Sequence, residues 1–289
     1  MREKTYLEIW PVLDCNLKCK NCSMASPYFK SKHAINLEQF KKDCDRMKDL
    51  FKLDVVRISG GEPTTHPDII EIMKYPKECG LVYKTNLITN CLNLLSQPDE
   101  FWEALDILNI SVYQNTNINY DKVFKRIEEK LKQYPHLQCN DITDPEVYNK
   151  FKGYEKDVKS KGMEVNIKQG SFKKMWATER WSDEKANEIF SKCWMKDSTW
   201  GFHNGYFYRC PISLMKDKLY EQESCSRFDF DVDRVNIHDA DAEDQLTKLL
   251  EQTTALEACK TCYGFNTGVD EPHEQMIKNK ITIKDVLYA

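Results

Sequence analysis

Three cysteines stand within eight residues, in Asp14-Cys15-Asn16-Leu17-Lys18-Cys19-Lys20-Asn21-Cys22, directly behind the first strand-like stretch of the chain. This CxxxCxxC array constrains the fold and the chemistry more than any other feature. Three thiolates on one short loop wrap one face of a metal group and leave it one ligand short. A structural zinc site wants a fourth Cys or His at short spacing, and none follows before His33. A 4Fe–4S cluster held by three cysteines keeps one iron open to an exogenous ligand, as a catalytic cluster requires. The chain has 12 cysteines among 289 residues. It is too long for a disulfide-stapled mini-protein, and Met1-Arg2-Glu3-Lys4 lacks the apolar core of an export signal. Clustered thiols in such a chain point to metal, with the cytoplasm as the expected location.

Short apolar runs alternate with helical patterns over more than half the chain. Strands are expected at Tyr6–Leu13, Leu53–Ser59, Leu81–Ile88, Ile107–Tyr113, Leu137–Cys139 and Met163–Lys168. Helices are expected at Leu37–Phe51, Asp68–Glu78, Asp99–Leu105, Tyr120–Gln133 and Asp144–Lys161. Such alternation implies a parallel sheet with right-handed crossovers, and six strands fall short of a closed barrel. The expected fold class is α/β, either a partial (β/α)6 TIM-like barrel or an open parallel sheet, with ligands at the carboxyl ends of the strands. After about Gly170 the pattern changes to aromatics, a short strand signal at Gly205–Arg209 and one clear helix at Gln245–Ala258. This divides the chain into residues 1–170 and a smaller α+β unit, 171–289. Lys+Arg 42 against Asp+Glu 46 leaves a net charge of −4, which argues against a nucleic-acid or anionic-membrane partner. No run approaches the ~18 apolar residues of a membrane span.

The second expected strand runs into Gly60-Gly61-Glu62-Pro63. The glycines let backbone approach a ligand closely, and the Glu can accept from a cationic amine. In the second unit, eleven residues separate Cys193 from Gly205 and four separate Gly205 from Cys210. Forty-eight more lead to Cys259-Lys260-Thr261-Cys262. Two pairs of thiolates can close around one centre, with Gly205 serving a tight turn. On spacing alone a zinc ion and a 4Fe–4S cluster suit them equally, and Cys225 is a spare thiol that competes for a place.

The array after the first strand and the Gly-Gly-Glu-Pro after the second resemble the radical S-adenosylmethionine (SAM) superfamily over roughly residues 5–170. The resemblance implies a partial barrel and Cys15, Cys19 and Cys22 as ligands of a 4Fe–4S cluster. It implies that SAM binds the open iron, with Gly60, Gly61, Glu62 and Pro63 at its amino group. Asn90 and Ser111 sit where such enzymes contact the methionine or ribose, and Ile167 where the adenine packs. Two positions depart from the usual pattern: Asn21 precedes the third cysteine and Cys91 follows Asn90. The second thiol group is similar to the Twitch version of the SPASM auxiliary domain, implying a second 4Fe–4S cluster on Cys193, Cys210, Cys259 and Cys262.

The activity implied is oxidoreductase chemistry. A 5′-deoxyadenosyl radical takes hydrogen from a carbinol of a small polar metabolite such as a sugar, nucleotide sugar or aminocyclitol, as in the dehydrogenases of aminoglycoside biosynthesis. The implied reductant is a flavodoxin or ferredoxin. The alternatives are an epimerase with Cys91 or Cys225 as hydrogen donor, a peptide-modifying enzyme, and, from another class, a non-catalytic zinc-binding protein. Cys44, Cys79, Cys91 and Cys139 are otherwise expected to be small hydrophobes. His66 is expected to cap or pack at the next helix. The aromatics Trp176, Trp181, Trp194, Trp200, Phe202, Tyr206, Phe207 and Tyr208 are expected to form the second unit's core, and Lys156, Lys159 and Lys161 a solvated helix end.

Overall fold

The computed structural model describes residues 6–113, 118–133, 138–141, 164–169, 172–177, 179–266, 269–271 and 274. Its strands are β1 (Tyr6–Val12), β2 (Val55–Gly60), β3 (Lys84–Thr89), β4 (Ile107–Val112), β5 (Gln138–Asp141), β6 (Glu164–Gln169), β7 (Phe172–Lys174), β8 (Thr199–His203), β9 (Tyr206–Tyr208), β10 (Arg234–Asn236) and β11 (Val269–Glu271). The helices are α1 (Leu37–Leu50), α2 (Ile69–Glu78), α3 (Asp99–Ala104), α4 (Tyr120–Gln133), α5 (Asp183–Lys192), α6 (Met195–Ser198), α7 (Pro211–Gln222) and α8 (Ala242–Glu251).

Nine strands make one sheet, in the order β10-β9-β8-β1-β2-β3-β4-β6-β5. From β8 through β1 to β5 all pairings are parallel, so the expected α/β class holds. Two features differ from simple succession. β6 pairs with β4, which leaves β5 outside it. β8, absent from the expected strands, pairs in parallel with β1, while β9 and β10 continue the sheet antiparallel. β7 and β11 form a separate two-stranded sheet.

Alternation along each strand divides its side chains between two faces. Leu7 and Ile9, Val56 and Ile58, Leu87, and Leu108 and Ile110 bury one face against the helices. In α1, Phe40, Cys44 and Met47 recur at helical spacing and fill that layer, and Asn36 Oδ1 caps the helix by accepting from Gln39 N at 3.1 Å. Between α2 and β3, Leu81 and Val82 donate backbone bonds to Pro76 O at 2.9 and 3.1 Å, so the strand begins at Lys84, later than expected. The other face carries Glu8, Ser59, Asn86 and Asn109. Ser59 donates to Glu8 at 3.2 Å and Asn109 to Asn86 at 2.6 Å.

The helix expected at Gln245–Ala258 stops at Glu251, and a separate 3-10 turn follows at Glu257–Thr261. Arg209 Nη1 donates to Leu249 O at 2.8 Å and Gln252 O at 2.6 Å, closing the helix end with a cation. Of the aromatics expected in the second unit's core, Trp176 and Tyr208 are buried together. Trp200, Phe202 and Phe207 instead join the main core with Leu7, Ile9 and Phe51, because β8 pairs with β1. Trp194 is 51% exposed, with Phe265 edge-on to it. The helix expected at Asp144–Lys161, with Lys156, Lys159 and Lys161, lies outside the described residues.

Candidate functional site

The three-cysteine loop follows β1 and folds into tight turns. Leu17 N donates to Cys15 Sγ at 3.4 Å, Cys22 N to Cys19 O at 3.4 Å and Ala25 N to Cys22 O at 2.7 Å. Asn21 takes φ 58. That left-handed conformation suits Asn far better than a bulky residue, a local reason for Asn at this position. Burial pushes the Cys15 and Cys22 thiols up, and Cys22 and Cys19 both raise Cys15, so the three lie within reach of one another's charge.

The Gly-Gly-Glu-Pro turn sits directly against this loop. Gly61 N donates to Val12 O at 2.9 Å and Glu62 N to Asp14 O at 3.1 Å. A Cβ on Gly61 would fall 1.7 Å from Asp14 O, and Gly60, at φ 103, would place one 2.7 Å from Val12 O. The close approach that demands glycine is therefore to the cysteine loop's own backbone. Glu62 is 1% exposed. Its Oε1 accepts from Thr64 N, Thr64 Oγ1 and Thr89 Oγ1 at 3.2, 2.6 and 2.7 Å, and its Oε2 from Asn90 N at 2.8 Å. Burial raises its pKa. Pro63 is buried and opens the turn Pro63–Thr65. His66 packs and caps as expected: Nδ1 accepts from Asp68 N at 3.0 Å, and Nε2 lies 3.0 Å from Ile35 O.

Asn90 joins these parts. Its Nδ2 lies 3.4 Å from Cys15 Sγ and 2.8 Å from Asn16 Oδ1. Ser111 is buried near the end of β4, and Ile167 lies on β6 in register with Ile110. Sequence reading missed Tyr113. Its side chain bonds Ser111, burial raises its pKa, and Cys22, Cys19 and Cys15 all raise it further. Its position just past the end of β4 was the available signal. Cys91, at φ 68, is fully buried in the apolar layer.

The second thiol group is built from three places. Cys193 ends α5, Cys210 precedes α7, and Cys259 and Cys262 bracket the end of the 3-10 turn. Asn204 (φ 47) and Gly205 (φ 78) form the two-residue turn between β8 and β9, as expected of Gly205. Burial raises Cys210, with Cys193 and Cys262 adding to it, and raises Cys259, with Cys262 and Cys210 adding to it. Cys262 Sγ accepts from Gly264 N at 3.3 Å, and Trp181 Nε1 donates to Cys262 O at 2.9 Å. Asp233 accepts from Glu257 N, Ala258 N and Ser213 Oγ at 2.7, 2.9 and 2.6 Å, fixing the turn. Cys225 is half-buried after α7, where its N donates to Tyr220 O at 3.0 Å. Sequence reading also missed Lys216 of α7, which is 2% exposed. Its Nζ donates to Ala258 O, Thr261 O and Thr261 Oγ1 at 3.0, 2.7 and 2.5 Å.

The first donor set fits an iron–sulfur cluster with a chelating cosubstrate. Three grouped thiols leave a corner open, and Asp14 Oδ1 beside them is buried with no hydrogen-bond partner in the protein. No three His, Cys, Asp or Glu side chains among the described residues converge on a single metal-ion position. Among the described residues no helix is long and apolar enough to cross a membrane.

Comparison with known proteins follows the same lines. The S-adenosylmethionine-dependent nucleotide dehydratase of Selenomonas ruminantium is 34% identical over 101 residues, 34% of this chain and 35% of that protein. The molybdenum cofactor biosynthesis protein moc-5 of Caenorhabditis elegans is 31% identical over 156 residues, 48% of this chain and 25% of that protein. The chain thus spans about a third or less of the length of these relatives. In fold it is similar to BtrN in complex with AdoMet and 2-DOIA, with TM-score 0.54 and 13% identity over 95% of this chain and 99% of that one. The family model described as the Radical SAM superfamily matches residues 11–134. Residues 11–134 therefore match a radical SAM superfamily domain, a family description that implies SAM and a 4Fe–4S cluster.

Proposed function

We propose that the chain is an oxidoreductase that dehydrogenates a carbinol of a small polar metabolite, with a sugar, nucleotide sugar or aminocyclitol as the substrate class. Residues 1–170 are the barrel, and 171–289 are a Twitch-type unit whose β8–β10 extend the barrel's sheet. The observation that carries this reading is the second thiol group. Cys193, Cys210, Cys259 and Cys262 offer four thiolates, enough to ligate a 4Fe–4S cluster fully, which suits electron transfer better than substrate binding.

When bound, SAM and the first cluster supply a 5′-deoxyadenosyl radical able to take hydrogen from an unactivated C–H bond. The chain's own residues hold and orient. Cys15, Cys19 and Cys22 hold three corners of the cluster. Glu62 keeps acceptor capacity on Oε2 for a cationic amine, since among the described residues only Asn90 N donates to it. Asn90, Ser111 and Tyr113 line the cosubstrate's place, with Ile167 on the strand toward the adenine. A carbinol that has lost hydrogen from carbon becomes a ketone by losing one proton and one electron, and a cluster held by Cys193, Cys210, Cys259 and Cys262 would supply the acceptor for that electron. A flavodoxin or ferredoxin is the matching reductant.

Anaerobic reconstitution tests the reading, with about eight iron and eight sulfide per chain expected for two clusters. Cys15→Ser abolishes 5′-deoxyadenosine formation. Cys259→Ser retains it in part but yields no ketone. Bound zinc without iron, or an inverted carbon carrying deuterium from deuterated buffer, overturns the dehydrogenase reading.

A further inference from the structure

Lys216 is a buried basic residue bonded to the turn that carries Cys259 and Cys262. It lies on the helix that Cys210 precedes, and all three donors of its ammonium go to the segment that carries the last two cysteines: Ala258 O, Thr261 O and Thr261 Oγ1. With 2% of its surface exposed, it has little water to screen it. Burial is the largest influence and lowers its pKa, while Cys262, Cys259, Cys210 and Asp233 act in the opposite sense. This puts Nζ within electrostatic reach of three of the four thiols, and its three acceptors hold it as a donor. Holding the turn does not require a charge. Asp233 already fixes the same turn through Glu257 N and Ala258 N, and its carboxylate also lies within electrostatic reach of Lys216 and Cys259. Neutral donors would serve the carbonyls without the cost of burying an ion.

We propose that Lys216 is a built-in counter-charge that raises the reduction potential of the cluster held by Cys193, Cys210, Cys259 and Cys262. This rests on the auxiliary-cluster reading above. Uptake of one electron makes a four-thiolate cluster one unit more negative with no change of ligands. A fixed buried cation stabilises that reduced form more than the oxidised one. In the proposed reaction the electron comes from the substrate radical as it becomes a ketone. A higher potential makes that transfer downhill and the return of the electron unfavourable.

The test is a potentiometric titration followed by electron paramagnetic resonance on the full chain, reconstituted anaerobically. A Cys15→Ala, Cys19→Ala, Cys22→Ala background leaves the second signal alone. Lys216→Gln keeps a neutral donor under the turn and removes the charge. Thr261→Val removes one hydrogen bond and keeps the charge. The expected result is about four iron atoms per chain in all three proteins. The midpoint potential of Lys216→Gln should move negative, equivalent to a roughly tenfold or larger fall in the equilibrium constant for reduction, while Thr261→Val stays near the parent. An unchanged potential in Lys216→Gln overturns the proposal. So does loss of iron in both Lys216→Gln and Lys216→Met while the parent holds it, which assigns Lys216 to the scaffold. A background protein that holds no iron overturns the auxiliary-cluster reading itself, and this proposal with it.

Discussion

Asn90 Nδ2 stands 3.4 Å from Cys15 Sγ, across a gap of 75 residues in sequence. The same amide donates to Asn16 Oδ1 at 2.8 Å, while Asn90 N donates to Glu62 Oε2 at 2.8 Å. One residue at the end of β3 therefore ties the cysteine loop to the buried carboxylate after β2. Asn90→Ala should leave cluster loading near the parent's but weaken SAM binding about tenfold, from hydrogen bonds to charged or metal-held groups. Iron analysis and equilibrium dialysis of SAM read the two effects separately. Unchanged SAM affinity would remove Asn90 from the binding site.

Gly61 and Gly80 make a matched pair. A Cβ on Gly61 meets Asp14 O at 1.7 Å, whereas one on Gly80, at φ 81, meets nothing within 4 Å. Gly80→Ala should cost about 1 kcal/mol, the backbone strain alone. Gly61→Ala must push the cysteine loop aside and should cost roughly 3 kcal/mol or more, with loss of iron. Urea unfolding of both variants checks the ratio, and equal costs would contradict the packing of Gly61 against Asp14.

Glu62→Gln should destabilise the site although it keeps the shape. The carboxylate accepts four donors, and an amide replaces one acceptor oxygen with a donor. About 1–3 kcal/mol is expected from the resulting donor–donor clash. Thermal unfolding measures it, and a variant as stable as the parent would contradict the bonding at Glu62.

His203 sets a pH dependence. Burial lowers it from 6.5 to about 4, and Nδ1 lies 2.8 Å from Trp10 O. The folded state holds it neutral where the unfolded chain would protonate it. Its contribution is present above pH 6.5 and is lost as pH falls through about 4. Asp233, pushed up to about 6 by burial, acts in the opposite sense, so stability is compared between parent and His203→Gln at each pH. The difference should shrink by about 3 kcal/mol from pH 7 to pH 4, and a constant difference would show that His203 is not held neutral.

Local chemistry made much of the fold legible. Asn36, capping α1, and the buried positions Phe40, Cys44 and Met47 lie where periodicity puts them. Asn204-Gly205 turns where a left-handed pair is needed. What misled was tertiary. Arg209 ends α8 from forty residues away, and β8 was invisible because nothing local announces a strand that joins β1.

By itself the sequence determined which groups are available: three thiols on one loop, four farther on, and a Gly-Gly-Glu-Pro turn, because spacing decides what a short loop can present. Only the tertiary structure decided what those groups meet. It set Gly61 against Asp14 O, brought Asn90 to Cys15, and buried Lys216 against the backbone of Ala258 and Thr261. Those contacts span distant segments, and they exist only once the packed sheet and helices hold the segments together.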